Sequence, residues 1–210
     1  MKKTIHQGWE YKNAEYYDLI YSGKNYKKES ERVREIIQKY CTSGGRDILD
    51  VACGTGNHIA HLTKHYRITG VDISKTMLAI ARKRYPRIGF VAGDMRSFDL
   101  KKKFDVVVCL FSSVGYMKSP GNLQKAIRNF SRHLKTGGVM IIEAFVDPTA
   151  YKTGSMHAIV VDRPNMKFVR AGVSRRRGNL ALLDFHFLVV TPRGVSYFKS
   201  RHDLGLFAKP

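Results

Sequence analysis

Acidic residues are scarce in this chain: 17 aspartates and glutamates stand against 37 lysines and arginines in 210 residues, a formal charge of +20. A field of that sign draws anions. Three readings of it are open, in this order: basic side chains scattered over a solvated surface, a phosphorylated substrate, and nucleic acid. The first leads because Lys101-Lys102-Lys103 and Arg175-Arg176-Arg177 sit where turns are expected and no long basic block exists. Cysteine is rare too. Cys41, Cys53 and Cys109 cannot all pair, and Cys53, in a glycine loop, and Cys109, in an apolar strand, read as small reduced core residues. No apolar run approaches the roughly 18 residues of a membrane span. The basic start Met1-Lys2-Lys3 has no apolar segment behind it, so no secretion signal is read and the expected compartment is the cytoplasm. Internal repeats and low-complexity linkers are missing, and the length suits one domain, 1–210.

What the chain does have is a series of strands that end in carboxylates. Ile48 to Ala52 reads as a buried strand carrying Asp50, after which Cys53-Gly54-Thr55-Gly56 bends the chain into a helix expected over about 57–66. A second strand, 68–72, ends in Asp72. Ser74 can cap the next helix, which carries Met77, Leu78 and Ala81 and ends before Pro86. Strands follow at 88–91, ahead of Asp94, and at 104–111, which includes Leu110. Ser119-Pro120 opens a helix that Gly137-Gly138 is expected to end, and 139–145 is the fifth strand. Residues 11–40 read as helical, with Tyr11, Tyr16, Tyr17, Tyr21 and Tyr26 ahead of an amphipathic stretch. Alternating strands and helices predict an α/β fold with a doubly wound, mostly parallel sheet and ligands at the carboxyl ends of its strands. Past residue 150 the rhythm changes. Segments 158–161, 167–173, 180–190 and 195–201, separated by turn signals, predict an antiparallel β addition after the fifth strand. The expected layout is an N-terminal helical lid, 1–43, a cofactor-binding core, 44–147, and the addition, 148–210.

Absences narrow the ligand. A dinucleotide site needs a third glycine and a helix start free for pyrophosphate. Ile59 occupies the third glycine's place, and Asp50 sets a negative charge before the loop. An adenosine carrying positive charge suits the loop better, as in S-adenosyl-L-methionine. His58, His61 and His65 have spacings that put two imidazoles on one helical face, but no carboxylate or cysteine set completes a metal site. No Gly-x-Ser-x-Gly is present, so a hydrolase is unsupported.

Taken in order, Asp50 to Gly56, Gly70-Val-Asp-Ile-Ser74 with Met77-Leu78, Gly93-Asp94-Met95-Arg96 and Lys135-Thr-Gly-Gly138 resemble the successive motifs of class I S-adenosylmethionine-dependent methyltransferases, whose fold is Rossmann-like. Tyr17 to Tyr21, Gly23-Lys24-Asn25-Tyr26 and Phe111 to Met117 further resemble the amino-sugar N-methyltransferases, which dimethylate nucleotide-linked 3-amino sugars. The resemblance implies roles for matching positions. Gly54 and Gly56 would let the backbone pass close to the methionine part, and Asp50 would receive its ammonium. Asp72 would accept from both ribose hydroxyls. Asp94 and the Met95 backbone would read the adenine edge, with Ile73 and Met77 flanking its faces and Leu110 completing the cofactor set. Plain helix core is an equal reading of Met77. Tyr17 and Tyr26 would close over the cofactor. Tyr116, in the loop after the fourth strand, would orient the acceptor or take its proton, with Tyr17 its catalytic partner; packing as an amphipathic wall is the other reading of Tyr116. Glu143 would hold a cationic amine or stand as an exposed strand-end acid.

The same loop lacks the Asn/Asp-Pro-Pro-aromatic motif of amine-methylating DNA enzymes. Family members continue beyond the segment matching Arg201 to Phe207 with a helix and two further strands, whereas this sequence stops at Pro210. Unless the antiparallel segment substitutes for them, the fifth strand is therefore expected at a sheet edge, a hazard for aggregation or an invitation to a homodimer. The expected function is transfer of a methyl group to an amine of a small, phosphorylated or sugar-like acceptor by in-line displacement. The alternatives are an RNA or protein methyltransferase, and a shortened, non-catalytic cofactor-binding domain.

Overall fold

The structure is a computed structural model that describes residues 13–208; Tyr11 lies outside them. The chain divides into two compact units, one made of Lys24–Phe145 and the other of the described parts of Met1–Gly23 and Val146–Pro210. Within Lys24–Phe145 a five-stranded sheet has the order β3-β2-β1-β4-β5. Its strands are β1 (Asp47–Val51), β2 (Arg67–Asp72), β3 (Gly89–Ala92), β4 (Phe104–Cys109) and β5 (Leu134–Ile142), and all neighbours pair parallel. Every residue of β1 and β4 is buried, as central strands covered on both faces require. β5 is an edge of this sheet, as expected.

Helices cover the sheet because their starts are capped and one stripe of each is apolar. In α2 (Tyr26–Tyr40) the Asn25 side chain accepts from Lys28 N–H, and Val33 and Ile37 are buried. In α4 (Lys75–Arg84) Ser74 accepts from Met77 N–H, and Met77, Leu78 and Ala81 are buried. α5 (Pro120–Arg132) starts at the Ser119 cap with proline in its first turn. Two expectations need correction. The helix after the glycine loop, α3, spans only Ile59–Leu62: Ile59 and Leu62 are its buried anchors, and beyond Thr63 the chain turns into β2. Gly137-Gly138 does not end α5, which stops at Arg132; both glycines lie inside β5. They sit where pairing with β4 shifts between Phe104↔Leu134 and Val106↔Val139. Gly137 adopts φ +74° there, a conformation glycine takes without strain. Its carbonyl receives the N–H groups of Thr42 and Ser43.

A polar anchor sits at the amino ends of the central strands. Asp105 is fully buried and accepts from Asp47 N–H at 2.9 Å, Ser43 Oγ at 2.7 Å and Lys135 Nζ at 3.0 Å. Burial opposes its charge, but these donors outweigh it and hold the carboxyl below its ordinary range.

The second unit carries α1 (Ala14–Ile20) and an antiparallel sheet in the order β6-β7-β8-β9. Its strands are β6 (Met156–Arg163), β7 (Met166–Arg177), β8 (Leu180–Thr191) and β9 (Gly194–Gly205). They are longer than their apolar stretches suggested because the pairing register runs unbroken from turn to turn. The turns have two residues: Pro164-Asn165, Gly178-Asn179 and Pro192-Arg193. Ile20 packs with Val161, Phe168, Phe187 and Val189 on one sheet face. Among the described residues no helix is long and apolar enough to cross a membrane.

Candidate functional site

Three carboxylates stand at the carboxyl ends of neighbouring parallel strands. Asp72 closes β2, and its two oxygens accept from Gly54 N–H and Ser74 N–H, both at 2.8 Å. One carboxylate therefore holds the glycine loop and the start of α4 together. Asp50, one strand over, is 3% exposed. Asp94 follows β3, tied in by Gly93 N–H donating to the Asp72 carbonyl at 3.0 Å.

Their electrostatics differ. Burial pushes Asp50 up to about 8, and the charge of Asp72 adds to the effect. Burial also raises Asp72, against the N–H groups of Ser74, Gly54 and Ile73, which favour its charged form. Those donors make Asp72 ionise first, so the repulsion between the two falls on Asp50. Among the described residues neither has an ion-pair partner. Asp94 is different: Arg96 Nε lies 3.0 Å from each of its oxygens, and that pairing holds it below the ordinary carboxylate range. Cys53, between Asp50 and Asp72 in charge terms, has its thiol pushed well up by burial and by both carboxylates. It is no nucleophile.

The loop backbone is unusual at three positions, with φ +60° at Ala52, +56° at Gly54 and +84° at Gly56. At Gly54 a Cβ would meet nothing within 4 Å, so the left-handed conformation alone asks for glycine. At Gly56 a Cβ would lie 2.8 Å from the Tyr85 ring, and both reasons apply. The remaining expected cofactor residues separate into two groups. Ile73 is 73% exposed beside Asp72, and the Met95 carbonyl accepts from Asn129 Nδ2 at 3.1 Å. Met77 and Leu110 are buried, at 2% and 8% exposure, and Leu110 belongs to the core cluster around Ile48 and Val108.

A second cluster surrounds the loop after β4. Phe111 and Ser112 adopt φ +53° and +58°, and Lys118 +60°, strained conformations for non-glycine residues. Glu143 accepts from Phe111 N–H at 2.7 Å, and Ser112 Oγ donates to the Ala144 carbonyl at 3.3 Å. Tyr116 lies half-buried in a 3-10 turn, Ser113–Met117. The Lys24 ammonium sits 4.4 Å from the Phe111 ring centroid and pairs with Glu29. Glu29 also bonds His58 Nε2 at 2.8 Å. The Tyr26 ring meets His58 edge-on at 4.9 Å. Burial lowers the proton affinity of His58 against the pull of Glu29.

The structure thus gathers Asp50, Gly54, Gly56, Asp72 and Ile73 around two strand ends, and Tyr26 with His58 beside the α2 start. Tyr17 is in the other unit, on α1, with its ring 4.8 Å from that of Tyr21. Sequence reading missed the Arg96 partner of Asp94, though two-residue spacing could have suggested it. It also missed the Lys24–Glu29–His58 set, whose members come from separate elements and leave no spacing signal.

Residues 48–138 match the family model described as a methyltransferase domain. The chain is 39% identical over 203 residues to a dTDP-3-amino-3,4,6-trideoxy-alpha-D-glucopyranose N,N-dimethyltransferase of Streptomyces venezuelae, covering 95% of this chain and 85% of that protein. The crystal structure of DesVI from Streptomyces venezuelae superposes with a TM-score of 0.88 at 39% identity, over 94% of this chain and 85% of that one. S-adenosylmethionine-bound CalS10, an amino pentose methyltransferase from Micromonospora echinaspora, superposes with a TM-score of 0.83 at 29% identity, over 100% of this chain and 86% of that one.

Proposed function

Since the chain belongs to the S-adenosylmethionine-dependent methyltransferases, in the family of the amino-sugar N,N-dimethyltransferases, we propose that its acceptor is the amino group of a nucleotide-linked amino sugar. One observation supports the donor site above others: Asp50 and Asp72 are buried side by side at the strand ends without a cationic partner among the described residues. Two carboxyls placed so are relieved by a ligand that brings positive charge. The residues fit a cationic adenosine.

In this reading Asp72 accepts from the ribose hydroxyls with the lone pairs its backbone donors leave over, and Asp50 receives the ammonium. Asp94, with Arg96 beside it, and the Met95 backbone meet the adenine edge. Ile73, exposed where an apolar side chain gains nothing from water, covers an adenine face. Met77 and Leu110 act from the core, behind that surface. Gly54 and Gly56 shape the loop. Tyr26 closes over the cofactor.

Bound S-adenosylmethionine supplies an activated methyl group, so the protein needs no strong base for an amine that arrives unprotonated. Its work is alignment and exclusion of water, and positioning of that kind can lower the barrier by about 7–11 kcal/mol. Tyr116 orients the amine. Glu143 holds the strained Phe111–Ser112 backbone that carries Tyr116. The test is methyl transfer to a dTDP-linked 3-amino sugar followed by mass spectrometry. Products heavier by one and then two methyl groups are expected. No mass change across a panel of nucleotide-linked amino sugars, with donor binding intact, overturns the acceptor assignment.

A further inference from the structure

The loop that follows β3 is fastened to the end of α5 at two points. Asn129 is buried, at 1% exposure, and its Nδ2 donates to the Met95 carbonyl at 3.1 Å. Arg132 Nη2 donates to Asn129 Oδ1 at 2.8 Å. These partners fix which way the amide faces, because a carbonyl can only accept and a guanidinium can only donate. His133, one turn on and 4% exposed, donates from Nδ1 to the Asn129 carbonyl at 2.8 Å. Its Nε2 accepts from Leu100 N–H at 3.2 Å. Both ring nitrogens therefore serve backbone groups, and the imidazole is the tautomer with its hydrogen on Nδ1. Phe98, between the two attachments in sequence, packs its ring 4.7 Å from that imidazole.

Within the loop, the peptide joining Met95 to Arg96 is held at both ends. Arg96 N–H donates to Asp94 Oδ1 at 2.8 Å, and the Met95 carbonyl is taken by Asn129. The Asp94 carbonyl accepts from Ser97 N–H and Phe98 N–H, both at 2.9 Å. Met95 N–H, by contrast, has no acceptor among the described residues. With its carbonyl tied to α5, the hydrogen-bonding group that the Met95 backbone offers a ligand is that N–H. A buried amide is a costly way to fill space, since an apolar side chain of its size needs no partners. What Asn129 does that leucine could not is hold a loop carbonyl against the helix.

We propose that Asn129 is a positioning residue for recognition of the donor's base, with His133 steadying it from the next turn. By fixing Met95 it presents an N–H next to the Asp94 carboxylate. That pair selects a purine whose N1 accepts and whose 6-substituent donates. Adenine has both features; a 6-oxo purine, with hydrogen on N1 and a carbonyl at C6, reverses both. This rests on the proposed placement of the adenine edge at Asp94 and Met95, and Asn129 acts only through Met95.

The test uses the full chain with S-adenosylhomocysteine and its deaminated analogue, S-inosylhomocysteine, as probes, by calorimetry and thermal shift. Asn129→Leu leaves the Met95 carbonyl without its donor. Asn129→Asp keeps the shape and the acceptor for Arg132 but loses the same donor. Wild type should bind the adenine compound at least roughly tenfold more tightly than the inosine one, as two reversed polar contacts imply. In both variants affinity for the adenine compound should fall about threefold to tenfold, the effect of one lost neutral hydrogen bond, while affinity for the inosine compound should change by less than about twofold. The ratio between the two compounds decides, because a general loosening of the fold weakens both alike. An unchanged ratio in variants that fold overturns the proposal, whether the two affinities fall together or hold. Should Asn129→Leu not fold, the ratio in Asn129→Asp decides; if neither folds, the amide serves the core and the proposal is overturned as well. A wild type that binds both compounds equally removes the adenine edge from Asp94 and Met95, and the proposal falls with that reading.

Discussion

Asp50→Asn isolates the ionisation on which the proposed donor site depends. The substitution keeps the side chain's shape and removes its ability to ionise. In the folded protein Asp50 is pushed from the ordinary 3.8 to about 8, so the folded state holds a proton that the unfolded chain releases. Stability must then fall as pH rises through that window and level off above it. Between about pH 5 and pH 8 the loss approaches 4 kcal/mol at about 1.4 kcal/mol per pH unit, and about 2 kcal/mol once relaxation softens the burial. Asp72 is raised as well, and its slope has the same sign, so the informative quantity is the difference between variant and wild type. Urea unfolding without ligand, near pH 5 and above pH 8, should give nearly equal stabilities at the lower pH. At the higher pH the variant should be more stable by about 2–4 kcal/mol. Cofactor affinity should drop in the same variant, since the ammonium loses its counter-charge. An Asp50→Asn protein that is less stable than wild type at high pH, or that shows the same pH slope, refutes the reasoning.

Asp72→Asn sets an amide NH2 against Gly54 N–H or Ser74 N–H, which now donate to a carboxylate. Cofactor affinity should fall by tens of fold and stability by about 1–3 kcal/mol, read by calorimetry with S-adenosylhomocysteine and by Tm; an unchanged dissociation constant removes Asp72 from the site. Gly56→Ala should destabilise more than Gly54→Ala in urea unfolding, because both carry positive φ but only Gly56 faces the Tyr85 ring. The cost at Gly56 should reach about 1–3 kcal/mol. Equal costs at the two positions would remove the packing argument.

The parallel sheet was legible because its signals are local. Apolar runs such as Asp105 to Cys109 can only be central strands, and the loop glycines and the Ser74 and Ser119 caps mark where strands give way to helices. Asp50 and Asp72 were legible for the same reason, since a strand-end carboxylate before a glycine bend is a pattern in one stretch of chain. What escaped depends on register and on distant partners. The placement of Gly137-Gly138 within β5 follows from pairing with β4, which glycine content does not reveal. The Asp72 carboxylate was expected to accept from a ligand's ribose or to stand at the helix start before Ser74; its hold on Gly54, 18 residues away, left no sign in the sequence. Glu29 and His58 meet from different helices and loops, and Arg170 looks in sequence like any basic residue of a solvated strand. Its burial is set by Tyr21 and Phe185, 149 residues away on one side and across the neighbouring strand on the other.

Each unit buries ionisable groups that have no ion-pair partner among the described residues: carboxyls at Asp50 and Asp72 in one, a guanidinium at Arg170 in the other. Structural ion pairs elsewhere in the same molecule show that the sequence can supply partners where they serve the fold. Asp105 has Lys135 and Asp184 has Arg201. A paired charge would be satisfied before any ligand arrived, and the ligand would have to displace the partner to gain the interaction. An unpaired one lowers the stability of the empty protein and returns that free energy to the molecule whose charge completes it.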